Sequence, residues 1–232
     1  MTILGLDSSA VSASCAVCEV TKDAPFIPGG KILAVASVNV PVTHSETLLP
    51  LTESVLRAAR LSFDDIDAFA VSSGPGSFTG LRVSVSAVKG LAFSLNKPVC
   101  GVSTLLSLAY NLMGRDVIAC PVMDARRNVV YNALFDVSGG SVERLTPDRA
   151  VSLDELGVQL SQFTEKEIVF VGDGALLAHN AFDGACSVAS EITRCQNAAS
   201  VCFAAIEGEF VPAKNLMPVY IRKPQAERER ES

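Results

Sequence analysis

The run Gly74-Pro75-Gly76-Ser77-Phe78-Thr79-Gly80-Leu81-Arg82 has the residue types that let a backbone close around an anion. It follows the apolar stretch 68–73 (AFAVSS), read as a buried strand, and it opens a helical pattern over about 79–95. A glycine-rich turn between strand and helix offers free N–H groups and the positive end of the helix dipole, which suits a phosphate. Gly74, Gly76 and Ser77 are the candidate contacts. The spacing fits neither phosphate fingerprint. A Walker loop ends Gly-Lys-Ser/Thr, whereas Leu81 follows Gly80; a dinucleotide loop has its third glycine one residue earlier. The same residues also make a tight turn capped by Ser77 or Thr79, and both readings stay open. Asp7, Ser8 and Ser9, after the first strand, are further candidate phosphate contacts, with an Asx turn as the alternative.

Metal and nucleophile chemistry find less support. A helical metal pair beginning at His44 needs a second ligand three or four residues on, where Thr47 and Leu48 stand. His44 therefore reads as a capping or surface group near a helix start. The other histidine, His179, is remote in sequence, so no Ser-His-Asp set is assigned. Cys15 and Cys18 form a CxxC without the second pair a zinc site needs, and on a strand they point to opposite faces. Seven cysteines, an odd number, with no secretory leader read as reduced thiols in a cytoplasmic protein.

The elements that must position these residues are those of an α/β protein. Strands are predicted at 2–6, 11–20 and 32–40, with a Pro- and Gly-bearing loop at 21–31, then a helix at 45–60. Strand 98–102 and a helix capped by Ser103 follow the glycine loop and its helix. A second half restarts with strands at 117–123 and 129–136, a helix at 152–163, a strand at 167–171 and an Ala-rich helix at about 197–208. We divide the chain into an N-terminal lobe, 1–103, a C-terminal lobe, 104–216, and a last strand, 217–222, with a charged tail to 232 that returns toward the first lobe. Hairpins followed by alternating strands and helices predict mixed sheets flanked by helices.

Composition narrows the function. Among 232 residues, 49% are hydrophobic and 19% charged, which excludes global disorder. A net charge of −6 and 6% aromatics, with no Trp, argue against strong RNA or DNA binding by this chain alone. The longest uncharged stretch, between Lys97 and Arg115, is broken by Pro98 and Gly101, and no membrane span is predicted.

The helix at 79–95 is apolar or small nearly all round. Leu81, Val85, Val88, Ala92 and Leu95 form one stripe, Gly80, Ser84, Ala87 and Ser94 another, and its only charges, Arg82 and Lys89, share one edge. It is either a central helix of one large domain or a partner interface, and the interface is favoured. On that reading Val85→Glu breaks docking and spares the fold.

The segments ILGLDSSA, HSETLLPLTESVL, SSGPGSFTGLRVSVSAVKGLA, GVSTLLSLA, DARRNVVYNALF and PVYIRKPQAE, in this order over nearly the whole chain, resemble the TsaB family. That family is the bacterial partner subunit of the machinery making threonylcarbamoyladenosine in tRNA. The resemblance implies a two-lobed actin/Hsp70/sugar-kinase-like (ribonuclease H-like) fold. It implies docking on the catalytic subunit TsaD through the helices at 45–60 and 79–95, with Leu48, Leu51, Val55, Leu81, Arg82, Val85, Val88 and Lys89 at the interface. TsaE is a further implied partner, tRNA is engaged only indirectly, and the same surface closes a homodimer when TsaD is absent. TsaD holds its metal with two histidines in the segment matching HSETL; Leu48 stands at the second place, so no catalytic or metal role is expected. No cofactor is required by this chain, and ADP or ATP is placed at the junction with TsaD. The alternative is an autonomous ATPase or small-molecule kinase of the same superfamily. A metallopeptidase reading meets the same missing ligand.

Overall fold

The computed structural model describes residues 1–21, 29–41 and 43–222. Part of the predicted loop at 21–31 and the tail from 223 lie outside the described residues.

Strands β1 (Thr2–Asp7), β2 (Ala13–Thr21) and β3 (Gly29–Val38) form an antiparallel meander. α1 (His44–Ala59) follows. β4 (Ala68–Gly74) and β5 (Val99–Ser103) then add in parallel on the far side of β1, with α2 (Phe78–Leu95) as the crossover. The sheet order is β3-β2-β1-β4-β5. β4 is buried along its whole length because helices cover both faces of the sheet, as its unbroken apolar and small composition requires. Side-chain alternation sorts the two faces. Leu4, Leu6 and Cys15 join the core under α1 and α2, whereas Ile3, Ala16 and Cys18 face the other way.

α3 (Thr104–Tyr110), capped by Ser103, whose hydroxyl accepts from the Leu106 amide at 3.2 Å, leads into the second lobe. There follow β6 (Val117–Asp124), β7 (Val129–Asn132), β8 (Phe135–Ser138), β9 (Ser141–Arg144) and β10 (Arg149–Ser152). α4 (Leu153–Leu160), β11 (Ile168–Val171), α5 (Ala175–Ala181), β12 (Ser187–Val188), α6 (Glu191–Arg194) and α7 (Ala198–Ala204) complete the series. The second sheet runs β10-β7-β6-β11-β12, with β8 and β9 added beside β6. Both lobes thus place their first strand centrally, an antiparallel neighbour on one side and a parallel one on the other. This repeated order is that of the two-lobed actin/Hsp70/sugar-kinase-like fold.

Four expectations need correction. The strand predicted at 129–136 is split at Ala133 and Leu134, because β7 pairs with Val122–Asp124 of β6 and β8 with Val117–Ala119. The helix predicted to 163 ends at Leu160. The stretch 198–216, assigned to the second lobe, returns to the first. α7 packs its alanines and Cys202 on β1 and β2, and Gly5 lets it approach: a Cβ there would lie 2.5 Å from the Cys202 sulfur. Residues 217–222 form no strand; Val211 already occupies the edge of β5 by exchanging both backbone bonds with Val99.

Candidate functional site

A cleft of about 700 Å³ opens between the lobes. The first lobe contributes Ser9, His44, Gly76, Ser77 and Phe78; the second contributes Asp124, Arg126, Tyr131 and Asp173; the C-terminal segment contributes Tyr220 and Arg222. The strand ends of both sheets meet here, where α/β folds place their ligands.

The sequence-predicted phosphate contacts are brought together, but they bind one another. Asp7 is fully buried; one carboxylate oxygen accepts from the Ser9 amide at 2.8 Å and the Ser9 hydroxyl at 2.7 Å, and the other accepts from Ser72. Burial pushes the Asp7 carboxyl above the usual carboxylate range, against the pull of these bonds. Ser8 donates to the carbonyl of Gly80 at 2.8 Å. Ser77 gives its backbone N–H to the carbonyl of Ser9 and receives the Gly80 amide on its hydroxyl at 3.3 Å, capping α2. Gly74 turns at φ +136°, with the Val219 carbonyl against it. Of the six candidates only Ser9, Gly76 and Ser77 line the cleft. These bonds are those of a turn and a helix cap, and they leave Ser9, Gly76 and Ser77 on the wall of the cleft. The cleft's charged lining, Arg126, Arg222, Asp124 and Asp173, is what sequence reasoning missed. Burial also raises the Asp173 carboxyl, opposed by the amide of Gln196 at 3.1 Å.

His44 stands at the start of α1 with Nε2 3.0 Å from the carbonyl of Ala10. A carbonyl only accepts, so Nε2 carries the proton and is committed to the turn. Nδ1 is buried without a partner. Among the described residues no cluster of three or more His, Cys, Asp or Glu side chains has the arrangement of a metal site.

The predicted interface residues divide. Leu48, Val55, Leu81, Val85 and Val88 are buried within the chain itself, none more than 3% exposed, and all but Leu81 join the core on the first sheet. This corrects the interface assignment: the apolar stripe of α2 is an internal core face. Leu51 is partly buried against that core. Lys89 donates to the carbonyl of Leu216 at 3.0 Å, and the Nε of Arg82 donates to the hydroxyl of Tyr220 at 3.1 Å, so both edge charges grip the chain's own C-terminal segment. What α1 and α2 show to solvent is different: Leu49, Ser86, Gly90 and above all Phe93, which is 79% exposed. Phe93, an aromatic set among small residues in the last turns of α2, was the signal available in the sequence.

With this geometry the chain can be set beside known proteins. The family described as TsaD: tRNA N6-adenosine threonylcarbamoyltransferase matches residues 39–228. The tRNA threonylcarbamoyladenosine biosynthesis protein TsaB of Bacillus subtilis (strain 168) is 29% identical over 231 residues, 98% of this chain and 96% of that one. TsaB of Escherichia coli (strain K12) is 33% identical over 138 residues, 58% of this chain and 59% of that one. In structure, YeaZ from Pseudomonas aeruginosa superposes with a TM-score of 0.76 at 24% identity, covering 94% of this chain and 99% of that one. A second solved structure, described as an uncharacterized protein with similarity to peptidase YeaZ from Pseudomonas aeruginosa, gives a TM-score of 0.77 at 24% identity, over 95% of this chain and 99% of that one. The repeated lobe order, the turn that ties Asp7 to the glycine loop and these matches agree, and the chain belongs to the TsaD family, in its TsaB branch, of tRNA threonylcarbamoyladenosine biosynthesis.

Proposed function

We propose that this chain is a non-catalytic subunit that binds and activates TsaD, which transfers a threonylcarbamoyl group to adenosine next to the anticodon of tRNA. One observation carries the reading. On α2, Phe93 is exposed in line with the small exposed residues Ser86 and Gly90, a surface with an apolar knob and room for close helix approach, and α1 adds an exposed Leu49. The docking residues are therefore Leu49, Leu51, Ser86, Gly90 and Phe93, in place of the buried stripe. In the absence of TsaD the same face pairs with a second copy, because an isologous contact covers Phe93 on both. TsaE joins the assembly as a further partner, and tRNA is met through TsaD. The chain works in the cytoplasm; among its described residues no helix is long and apolar enough to cross a membrane.

A nucleotide, ADP or ATP, belongs at the junction with TsaD. The Asp7 carboxylate is engaged by Ser9 and Ser72, while Ser9, Gly76 and Ser77 stay on the cleft wall. No cofactor is assigned to this chain. The competing reading, an autonomous ATPase or small-molecule kinase, has to work with no lysine in the glycine loop.

Reconstitution decides between them. With TsaD, the remaining biosynthetic proteins and unmodified tRNA, the modified nucleoside is expected only when this chain is added. Phe93→Glu is expected to abolish both co-purification with TsaD and modification while leaving the circular dichroism unchanged. Modification at full rate without the chain, or turnover of ATP and Mg²⁺ by the chain alone, overturns the proposal.

A further inference from the structure

We propose that residues 217–222 form a releasable strap that holds the two lobes at their present separation, latched to α2 by Tyr220 and to the β6–β7 turn by Arg222. The segment joins neither sheet, so it lacks the ladder of bonds that would make it part of a lobe. It begins under the ammonium of Lys89, which donates to the Leu216 carbonyl. Its N-lobe latch has three parts. The Val219 amide donates to the carbonyl of Ser73 at 2.7 Å. The Tyr220 ring packs on Phe78 at 4.8 Å between centroids. The Arg82 guanidinium lies 3.8 Å over that Phe78 ring while its Nε donates to the Tyr220 hydroxyl. On the other lobe the Arg222 Nη1 donates to the carbonyl of Ala125 at 2.8 Å. Val219, Tyr220, Ile221 and Arg222 all line the cleft, so the segment passes along the opening it spans.

Two features make this link conditional. The first is weak burial: Met217 and Val219 are each more than half exposed, so little apolar area is lost when the segment leaves. Segments held by a few polar bonds and little packing open at free energies well below global unfolding. The second is the turn that Arg222 grips. Arg126, Arg127 and Asn128 hold φ at 64°, 58° and 55°, three successive side-chain-bearing residues in the left-handed region. That backbone is disfavoured for residues with a side chain, for the two arginines more than for Asn128. The turn is braced by the Arg126 amide on the Asp124 carboxylate at 2.7 Å and by the Arg222 bond to Ala125. Arg126 lines the cleft, so letting go of Arg222 relaxes a wall of the opening as well as the link across it.

The strap makes the two lobes report on each other, and hydrogen exchange on the isolated chain reads this directly. Arg222→Ala removes the bond on the second lobe. It is expected to speed exchange of the Val219 amide, which is bonded to the first lobe, by about tenfold or more. Tyr220→Ala, a change on the first-lobe side, is expected to speed the Ala125 and Val129 amides of the turn in the second lobe. Arg222→Lys, which keeps a cationic donor, is expected to restore most of the protection. Exchange that quickens only on the side of the substitution means two independent local contacts and overturns the strap. So does a uniform acceleration across both sheets, which means that Arg222 serves general stability. Neither result bears on TsaD binding, which is measured separately through Phe93.

Discussion

Ser77 gives its backbone N–H to the carbonyl of Ser9 across 2.6 Å, and the glycine loop is thereby bonded to the first hairpin turn. The contact is close enough to exclude any side chain. A Cβ at Gly76 would lie 2.4 Å from the Ser9 carbonyl oxygen, and one at Gly80 would lie 1.9 Å from that of Ser8. Gly80→Ala is expected to destabilise the fold by about 2–3 kcal/mol, since backbone rather than a flexible side-chain end must yield. Gly90 provides the contrast: it sits in the interior of the same helix with nothing within 4 Å of a Cβ. Gly90→Ala is expected to stabilise by about 0.8 kcal/mol through helix propensity. Urea denaturation of the two variants reads both signs.

The burial of the α2 stripe makes a second pair diagnostic. Val85 is 3% exposed inside the first-lobe core. Val85→Glu places an unpaired carboxylate there and is expected to lower stability by at least about 3 kcal/mol. Phe93→Glu, on the solvent side of the helix, is expected to change stability by no more than about 0.5 kcal/mol. Thermal melts followed by circular dichroism separate them; a folded, stable Val85→Glu returns the stripe to the surface.

The Asp7 carboxyl is held above its ordinary range chiefly by burial, so the folded chain takes up this proton more readily than the unfolded chain. The cost of the charge is absent below the unfolded value, about 4, and grows as pH rises through the folded value. Asp7→Asn removes the charge but keeps an oxygen for both Ser9 donors and offers an amide hydrogen to Ser72. The variant is expected to lie near the parent in stability at pH 4 and to exceed it at pH 7.5. The gap should be about 1.4 kcal/mol for each unit of upward shift. A constant offset at both pH values shows that the charge is not the cause.

Thiol chemistry gives a count. Cys15, Cys18, Cys100, Cys120 and Cys202 are buried, and burial pushes the Cys15 thiol up to about 12 and that of Cys100 up to about 11. Thiolate is the reactive form, so an aromatic disulfide reagent at pH 8 is expected to titrate no thiols beyond the half-buried Cys186 and Cys195 in the native chain. In denaturant all seven should react. Early reaction of Cys15 or Cys18 would show that the first sheet opens readily.

Much of the first lobe was legible in the sequence because its signals are local. Alternating apolar runs gave β1, β2 and β3, and Gly74 to Gly80 marked the start of α2. Periodicity showed that Val85, Val88 and Ala92 share a face, but a face does not name what covers it, and their own sheet does. The cleft was hidden for a different reason. Tyr131, Asp173 and Arg222 are far apart in the chain, and only topology brings them to one opening. Residues 217–222 (MPVYIR) have strand-forming side chains, yet Val211 had already taken the available edge of β5. Propensity cannot see that a partner is occupied.

The return of α7 to the first sheet has a bearing on synthesis. Ile3, Ala16, Ala70 and Val102 lie on the sheet face that α7 seals, and α7 comes after the whole second lobe in the chain. During synthesis the first lobe therefore stays open-faced until the inserted second lobe has been made. Nascent chains halted before Ala198 should bind chaperones strongly, and those carried past Ala204 should let go.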